Sequence, residues 1–244
     1  MIGIDYHITE ADLQDASLCV NAMKLLVYAQ ENDGIQLTKS GAFNRKFVNW
    51  AAVTFNWPGY TADELYQVNK VLDEHDFPPL MVMHHLFWIA KVGRHYKGKF
   101  VLTPKGRKLV GHHVRLQRVL FETLLYEYNL QNLDRIPDEN DPDWEIMMGV
   151  MDQELRDWVS VGQMLNVFFG MEIENIDYGS AEYRAAGWFW SRVVRPLVWL
   201  GLLESEKYEL RTKIHERKIR KTPLWTKWLR FDHHELTNIS KTLH

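Results

Sequence analysis

The chain has 244 residues and a mass of 28.9 kDa, enough for one large domain or two of ordinary size. Hydrophobic residues make up 46% of it and charged residues 25%, which excludes a disordered or fibrous protein. The formal net charge of −3 excludes a uniformly basic nucleic-acid-binding protein. The single cysteine, Cys19, excludes an intramolecular disulfide framework and suits a reducing compartment.

Charge is strongly segregated along the chain. Residues 91–118 contain nine Lys and Arg and no acidic residue, and residues 207–230 contain nine more against two Glu. Residues 131–182 lie between these basic blocks and carry thirteen acidic residues and two Arg. Such asymmetry indicates a charged partner or a charge match inside the protein, which the total charge hides.

We expect a cytoplasmic protein with no membrane association. No segment reaches the ~20 consecutive apolar residues of a membrane span. Residues 1–15 hold no Lys or Arg, so they lack the basic region that begins a signal peptide.

The first part of the chain predicts alternating helices and turns. Thr9 and Asp12 are spaced as a capping box before an apolar periodicity, which predicts a helix over roughly 10–31. A short extended segment over 35–38 and a helix near 42–55 follow. Thr61 and Glu64 form a second capping-box pattern that begins another helix.

A helix, a hairpin and two more helices complete the first half. Residues 80–92 are apolar on nearly every side, which predicts a largely buried helix. Residues 94–103 are typical of a β-hairpin with Lys97-Gly98 as its turn, and helices follow near 104–111 and 113–128. Prolines and acidic residues interrupt the periodicity after this point. We therefore predict an N-terminal domain over 1–130, an acidic linker over 131–142 and a C-terminal domain over 143–244.

The second half repeats short stretches of the first. The segment 86–92 (LFWIAKV) is similar to 197–203 (LVWLGLL) at an offset of 111. Thr103-Pro104 corresponds to Thr222-Pro223 at an offset of 119. A structural duplication is therefore predicted, with a second hairpin longer by eight residues.

The order helix, helix, helix, basic hairpin, helix resembles a winged helix. The stretch 100–107 (FVLTPKGR) is similar to the last wing strand and following helix of many bacterial winged-helix proteins. Together with 37–41 (LTKSG) it resembles a family of bacterial and plasmid- or phage-borne proteins that carry both motifs in this order. The resemblance covers residues 9–128 and, more weakly, 180–231. It implies a mainly α fold with small β-hairpin wings in two winged-helix-like halves. It implies no particular activity.

The basic hairpins are the candidate site. Their cations could neutralise phosphates, which provides affinity without sequence information. The candidate nucleic-acid-binding residues are Arg94, Lys97, Lys99, Lys105, Arg107 and Lys108 in the first half and Arg192, Arg211, Lys213, Arg217, Lys218, Arg220 and Lys221 in the second. The alternative is that these are solvated charges, or partners of the acidic segment 131–182. The helix over 80–92 offers only His84, His85 and Lys91 to base edges, a poor set for major-groove recognition.

Enzymatic and metal-dependent chemistry is not indicated. Cys19 lies among apolar helix residues and is interpreted as a buried structural thiol. The adjacent pairs His84-His85, His112-His113 and His233-His234 diverge on a helix and do not converge on one ion. We expect no catalytic residue, metal or cofactor. The Trp residues over 188–228 are expected in the core.

The sequence therefore predicts a non-enzymatic cytoplasmic binding protein. The leading interpretation is a nucleic-acid-binding regulator whose basic wings contact phosphates, with double-stranded DNA as the candidate partner. The alternative is a protein–protein interaction module or homo-oligomeric scaffold that binds no nucleic acid.

Overall fold

The computed structural model describes residues 2–5, 7–134, 136, 140–171, 177–207 and 212–231. The chain divides into two compact units. The N-terminal unit is Leu13–Tyr128, and the C-terminal unit comprises Met1–Asp12 and Asn129–His244. The protein is mainly helical with small antiparallel sheets, as predicted. In the described part of the chain, no helix has the length and apolarity needed to cross a membrane.

The chain begins with a short strand, β1 (Ile2–Ile4), and then enters the N-terminal unit. The elements of that unit are α1 (Ser17–Glu31), β2 (Ile35–Gln36), α2 (Arg45–Phe55), α3 (Ala62–Val68), α4 (Pro78–Ile89), β3 (Gly93–Tyr96), β4 (Lys99–Leu102), α5 (Pro104–Arg107) and α6 (His113–Glu122), followed by a π-helical turn over Thr123–Glu127.

The predicted helix over 10–31 is shorter than expected. Thr9 and Asp12 do pair, since the Thr9 N–H donates to Asp12 Oδ2 over 2.8 Å, but they close only a 3₁₀ turn over Glu10–Leu13. Ala16 then leaves the helical region with ψ of 80°, so α1 starts at Ser17. The helix predicted over 104–111 also ends early, because a turn at Gly111 (φ +77°) follows α5.

The hairpin predicted over 94–103 is confirmed. Its strands β3 and β4 are antiparallel, and β2 adds to the far side of β4, which gives the sheet order β2-β4-β3. Lys97 and Gly98 have φ of +48° and +74°, the pair of positive values that a type I′ hairpin turn requires. Aromatic rings of α2, α4 and β4 pack behind the sheet and are almost fully buried; they include Phe43 just before α2, Phe47, Phe87 and Phe100.

The C-terminal unit continues the chain after Tyr128. Its elements are α7 (Trp144–Glu154), β5 (Val159–Ser160), α8 (Val161–Phe169), α9 (Ala181–Trp188), a π-helical turn over Phe189–Val194, α10 (Arg195–Trp199), β6 (Leu203–Ser205), β7 (Lys218–Lys221), α11 (Pro223–Trp228) and β8 (Leu229–Phe231). The Trp residues expected in the core are buried there: Trp188, Trp190, Trp199, Trp225 and Trp228.

Two predicted domain boundaries need correction. Residues 1–12 belong to the C-terminal unit, because β1 pairs antiparallel with β8. The segment 131–142 is not simply a solvated linker. Leu130 and Leu133 are buried in a 3₁₀ turn of the C-terminal unit, and Asp134 directly follows that turn. Apolar side chains at the start of the acidic run therefore anchor it to the core.

The two units share one strand arrangement. The sheet order β5-β7-β6 matches β2-β4-β3, with three named helices between the first strand and the hairpin in each unit. Register fixes the correspondence: Gly93 pairs with Leu102 as Leu203 pairs with Lys221.

The structural offset differs slightly from the predicted one. Gly93 and Leu203 are 110 positions apart, and Leu102 and Lys221 are 119 positions apart. The sequence echo is therefore shifted by one residue from its structural register, and the second hairpin is longer by nine residues, not eight.

In each unit a threonine connects the hairpin to the end of the helix that precedes it, α4 or α10. Thr103 Oγ1 donates to the carbonyls of Lys91 (2.7 Å) and Val92 (3.1 Å). Thr222 Oγ1 does the same with Gly201 (2.6 Å) and Leu202 (3.2 Å). The residues that end the two helices, Lys91 and Gly201, both have positive φ, at +56° and +74°.

We predict that Gly106→Ala destabilises the N-terminal unit. In a helix this change usually stabilises by ~1 kcal/mol, but a Cβ at Gly106 would lie 2.1 Å from the Val92 carbonyl oxygen. The collision is with backbone, so we expect a loss of ~1–3 kcal/mol in the free energy of unfolding. Urea denaturation measures it, with exposed Lys108→Ala as the control within about 0.5 kcal/mol of wild type. A more stable Gly106→Ala protein would contradict the packing described.

Candidate functional site

The first hairpin presents cations at its tip. Arg94 and Lys97 are exposed and flank the ring of Tyr96, with the guanidinium carbon 5.2 Å and the ammonium nitrogen 5.3 Å from the ring centroid. Lys99 is half-buried, and its ammonium donates to the Asp33 carbonyl over 3.3 Å. Within the described residues, no carboxylate forms a salt bridge with these three cations.

The cations that follow the hairpin have partly structural roles. Lys105 Nζ donates to the Ala90 carbonyl (2.8 Å) at the end of α4, and Arg107 donates to the Leu102 carbonyl (2.8 Å) at the end of β4. A cation at a helix C-terminus stabilises the helix, because it lies near the negative end of the helix dipole. Lys108 is exposed. The first hairpin therefore keeps the positive charge that the sequence predicts.

Arg192 does not fit its predicted role, and this prediction is wrong. The residue is 0% exposed. Its guanidinium makes two hydrogen bonds to Asp134 (2.8 and 3.0 Å) and a third to the Ile136 carbonyl (2.9 Å). A paired side chain with no solvent access contacts no phosphate. It is instead a buried ion pair that attaches the start of the acidic segment to the C-terminal unit.

Two cations of the second hairpin are paired with acidic side chains. Lys221 Nζ lies 2.6 Å from the Asp152 carbonyl and 3.1 Å from its carboxylate. Arg220 pairs with Glu204 at 2.5 Å and lies over the ring of Trp158 at 4.5 Å. Two basic residues of the second half pair with the acidic segment 131–182: Arg192 with Asp134 and Lys221 with Asp152.

The remaining candidate residues of the second half differ in their neighbours and in their exposure. Arg217 lies over the ring of Trp190 at 4.7 Å, and Lys218 is 4.0 Å from Glu206. Lys213 is exposed. Arg211 lies outside the described residues. The second hairpin thus offers less free positive charge than the first.

We predict that Asp134→Ala destabilises the C-terminal unit strongly. The change removes the Asp134 carboxylate from the buried Arg192 guanidinium, which costs about 3–5 kcal/mol in the free energy of unfolding. Glu204→Ala is the matched control, because its pair with Arg220 is over 40% exposed and is worth about 0–1 kcal/mol. Tryptophan fluorescence during urea denaturation measures both. Equal, small losses would contradict the buried ion pair.

A chain of polar side chains lies beside the first hairpin. Glu74 is 3% exposed, and its Oε2 accepts the Phe43 N–H over 2.5 Å. Its Oε1 lies 2.7 Å from His84 Nδ1, and His84 Nε2 lies 2.9 Å from His95 Nε2. The ring of Phe43 stacks on His84 with centroids 4.0 Å apart. These contacts connect the loop before α2, α4 and strand β3.

When His84 is neutral, the Glu74 carboxylate determines which atoms donate and which accept in this series of hydrogen bonds. It can only accept, so the Nδ1 of a neutral His84 donates to it and Nε2 is left as an acceptor. His95 Nε2–H then donates to His84, and the free Nδ1 of His95 becomes an acceptor. With His84 neutral, the Glu74 carboxylate thus determines which ring nitrogen of His95 accepts, two hydrogen bonds away.

A cleft of about 510 Å³ opens beside the hydrogen-bonded side chains of Glu74, His84 and His95. It is lined by Ser40, Gly41, Ala42, Glu74, His75, Met81, His84, His85, Trp88 and His95. Trp88 is 64% exposed, on the side of α4 that does not face the core. Among the described residues, no group of three or more His, Cys, Asp or Glu side chains is arranged to hold a metal ion.

Sequence reasoning did not find this cleft. It considered His84 with its neighbour His85, and the two do diverge: His84 points inward and His85 is exposed. The partners of His84 come from Glu74 and from the hairpin. One signal was available, because a histidine at a core position of an apolar helix needs a hydrogen-bond partner. The sequence does not show which residue provides it.

We predict that the N-terminal unit loses stability as the pH falls below 6.5. Partial desolvation of these surface rings, and then the nearby His84, lower the pKa values of His85 and His95 below the ordinary 6.5. At lower pH the unfolded chain binds protons that the folded chain does not, so the free energy of unfolding decreases. Urea denaturation between about pH 7.5 and about pH 5.5 measures it. His95→Gln should show a weaker dependence; a variant with the same pH dependence would contradict the contribution of His95.

The fold and the site define a two-domain, mainly helical protein with a small antiparallel sheet in each domain. Residues 14–115 match the family profile of the Y4jL N-terminal domain, and residues 134–223 match that of the y4jL C-terminal domain. The two y4jL domain profiles therefore match successive parts of this chain. It is 35% identical over 146 residues to the uncharacterised protein y4jL of Sinorhizobium fredii, an alignment that covers 59% of this chain and 66% of the relative. No solved structure matches the chain.

Proposed function

We propose that the chain is a nucleic-acid-binding protein that contacts phosphates with the hairpin of its N-terminal unit. The observation that carries this proposal is the contrast between the two hairpins. Arg94 and Lys97 of the first are exposed and form no salt bridge with a described carboxylate, whereas Arg220 and Lys221 of the second are paired. Free surface cations provide the electrostatic part of nucleic-acid affinity.

The strand order supports a winged-helix interpretation of both units. Each has a helix, a first strand, further helices and then a hairpin whose second strand lies between the other two. In a winged helix this hairpin is the wing, and α4 occupies the position of the recognition helix. The exposed side of α4 carries Met81, His85 and Trp88. These provide few donors for base edges in a duplex, so we propose that binding depends on the backbone and not on duplex sequence.

We propose a non-enzymatic role in the cytoplasm. Cys19, the single cysteine of the sequence, is buried and its thiol donates to the His113 carbonyl, as suits a reducing compartment. The hydrogen-bonded chain from Glu74 to His95 is explained as a structural connection between α4 and the hairpin.

We predict that Arg94→Ala with Lys97→Ala weakens binding to short DNA, single-stranded or duplex. Removal of two phosphate contacts should reduce the slope of log affinity against log salt by about 1.4–1.8. Fluorescence anisotropy over a salt series measures it. The matched control is Lys213→Ala with Lys218→Ala, which removes two charges from the C-terminal unit and should change the slope little.

Two results would overturn this proposal. One is wild-type protein that binds no nucleic acid at low salt. The other is a loss of slope in the control equal to that in the first variant. If no nucleic acid binds, light scattering that detects a dimer would support the alternative of a protein-interaction module.

A further inference from the structure

The geometry points to a binding site for an unpaired nucleobase in the cleft beside the first hairpin. We infer that a base stacks on Trp88 while its edge meets His95 and His85. This inference rests on the proposed nucleic-acid binding and makes it specific: the ligand is a single strand, not a duplex.

Trp88 is placed to serve as the stacking surface. It is 64% exposed although it is the largest side chain of α4, and it lies at the wall of the cleft. Residues on α4 that face the other way, such as Phe87 and Leu86, are fully buried. Packing of the core therefore does not require an indole at this position. Stacking on an exposed aromatic ring is the common way in which proteins hold single-stranded bases.

The cleft also offers polar groups that can donate and accept hydrogen bonds. Its lining includes Ser40, His85 and His95. When His84 is neutral, its hydrogen bond to the Glu74 carboxylate leaves His95 Nδ1 as an acceptor. Partial desolvation lowers the pKa of His85 and of His95, so both rings are neutral at pH 7 and can accept as well as donate. A volume of about 510 Å³ is within the ~300–1,000 Å³ of small-molecule sites.

Charge next to the cleft suits the nucleic-acid backbone. Arg94 is the neighbour of His95 on strand β3, so its exposed side chain lies on the opposite face of the strand from the His95 side chain that lines the cleft. Tyr96, 49% exposed and flanked by Arg94 and Lys97, offers a second aromatic ring on the same hairpin.

A paired base cannot enter this site. In a duplex the faces of each base are covered by its neighbours and its edge is occupied by its partner, so only an unpaired base can stack on Trp88. The exposed side of α4 also lacks the Arg, Asn and Gln side chains that read a duplex in the major groove. The same residues thus disfavour one ligand and favour the other.

The experiment compares three probes on the full chain: a short oligothymidylate, an abasic strand of the same length and a duplex. Anisotropy at fixed low salt gives the three affinities. We expect the oligothymidylate to bind more tightly than the abasic strand and the duplex. Trp88→Ala should weaken oligothymidylate binding about tenfold, to the level of the abasic strand, while it leaves the other two affinities unchanged. Trp88→Phe should retain most of the affinity.

The controls separate this inference from the proposal on which it rests. Tyr178→Ala removes an aromatic ring of the C-terminal unit that is 90% exposed and should have no effect. Circular dichroism confirms that Trp88→Ala remains folded. If wild type binds all three probes equally, or Trp88→Ala binds oligothymidylate like wild type, the nucleobase site is refuted while phosphate binding stands. If no probe binds, both are refuted.

Discussion

The positions of carboxylates decide where this protein presents positive charge. Asp134 holds a buried guanidinium, and Asp152 and Glu204 hold two cations of the second hairpin. A cation already paired has little to gain from a phosphate, because the new contact must first break the old one. The first hairpin has no such pairs with described residues at Arg94 and Lys97. Two hairpins of one strand order therefore have different electrostatic character.

Local sequence patterns predicted the elements that depend on local chemistry. The hairpin turn at Lys97-Gly98, the capping box at Thr61 and Glu64, and the buried helix before the hairpin all follow from neighbouring residues. The duplication was detectable for the same reason, because Thr103 and Thr222 perform one task in both units. The sequence match was displaced by one residue from the structural alignment, because residue identity alone does not determine which carbonyl a threonine bonds.

Features that depend on distant partners could not be predicted. Asp134 and Arg192 are 58 positions apart. The sequence does not show whether an arginine is exposed or buried. The pairing of β1 with β8 joins the two ends of the described chain, so no local pattern marks residues 1–12 as part of the C-terminal unit. The connection from Glu74 to His84 and His95 likewise requires the fold, which brings a 3₁₀ turn, a helix and a strand together.

The central claim is that nucleic acid contacts the first hairpin and the cleft beside it, and not the second hairpin. Backbone amide chemical-shift mapping of the full chain during titration with oligothymidylate tests it most directly. The account predicts shifts concentrated at residues 93–108 and at the cleft residues Ser40, His85 and Trp88, with residues 203–221 unchanged. Shifts of equal size at 203–221, or shifts confined to that segment, would contradict it.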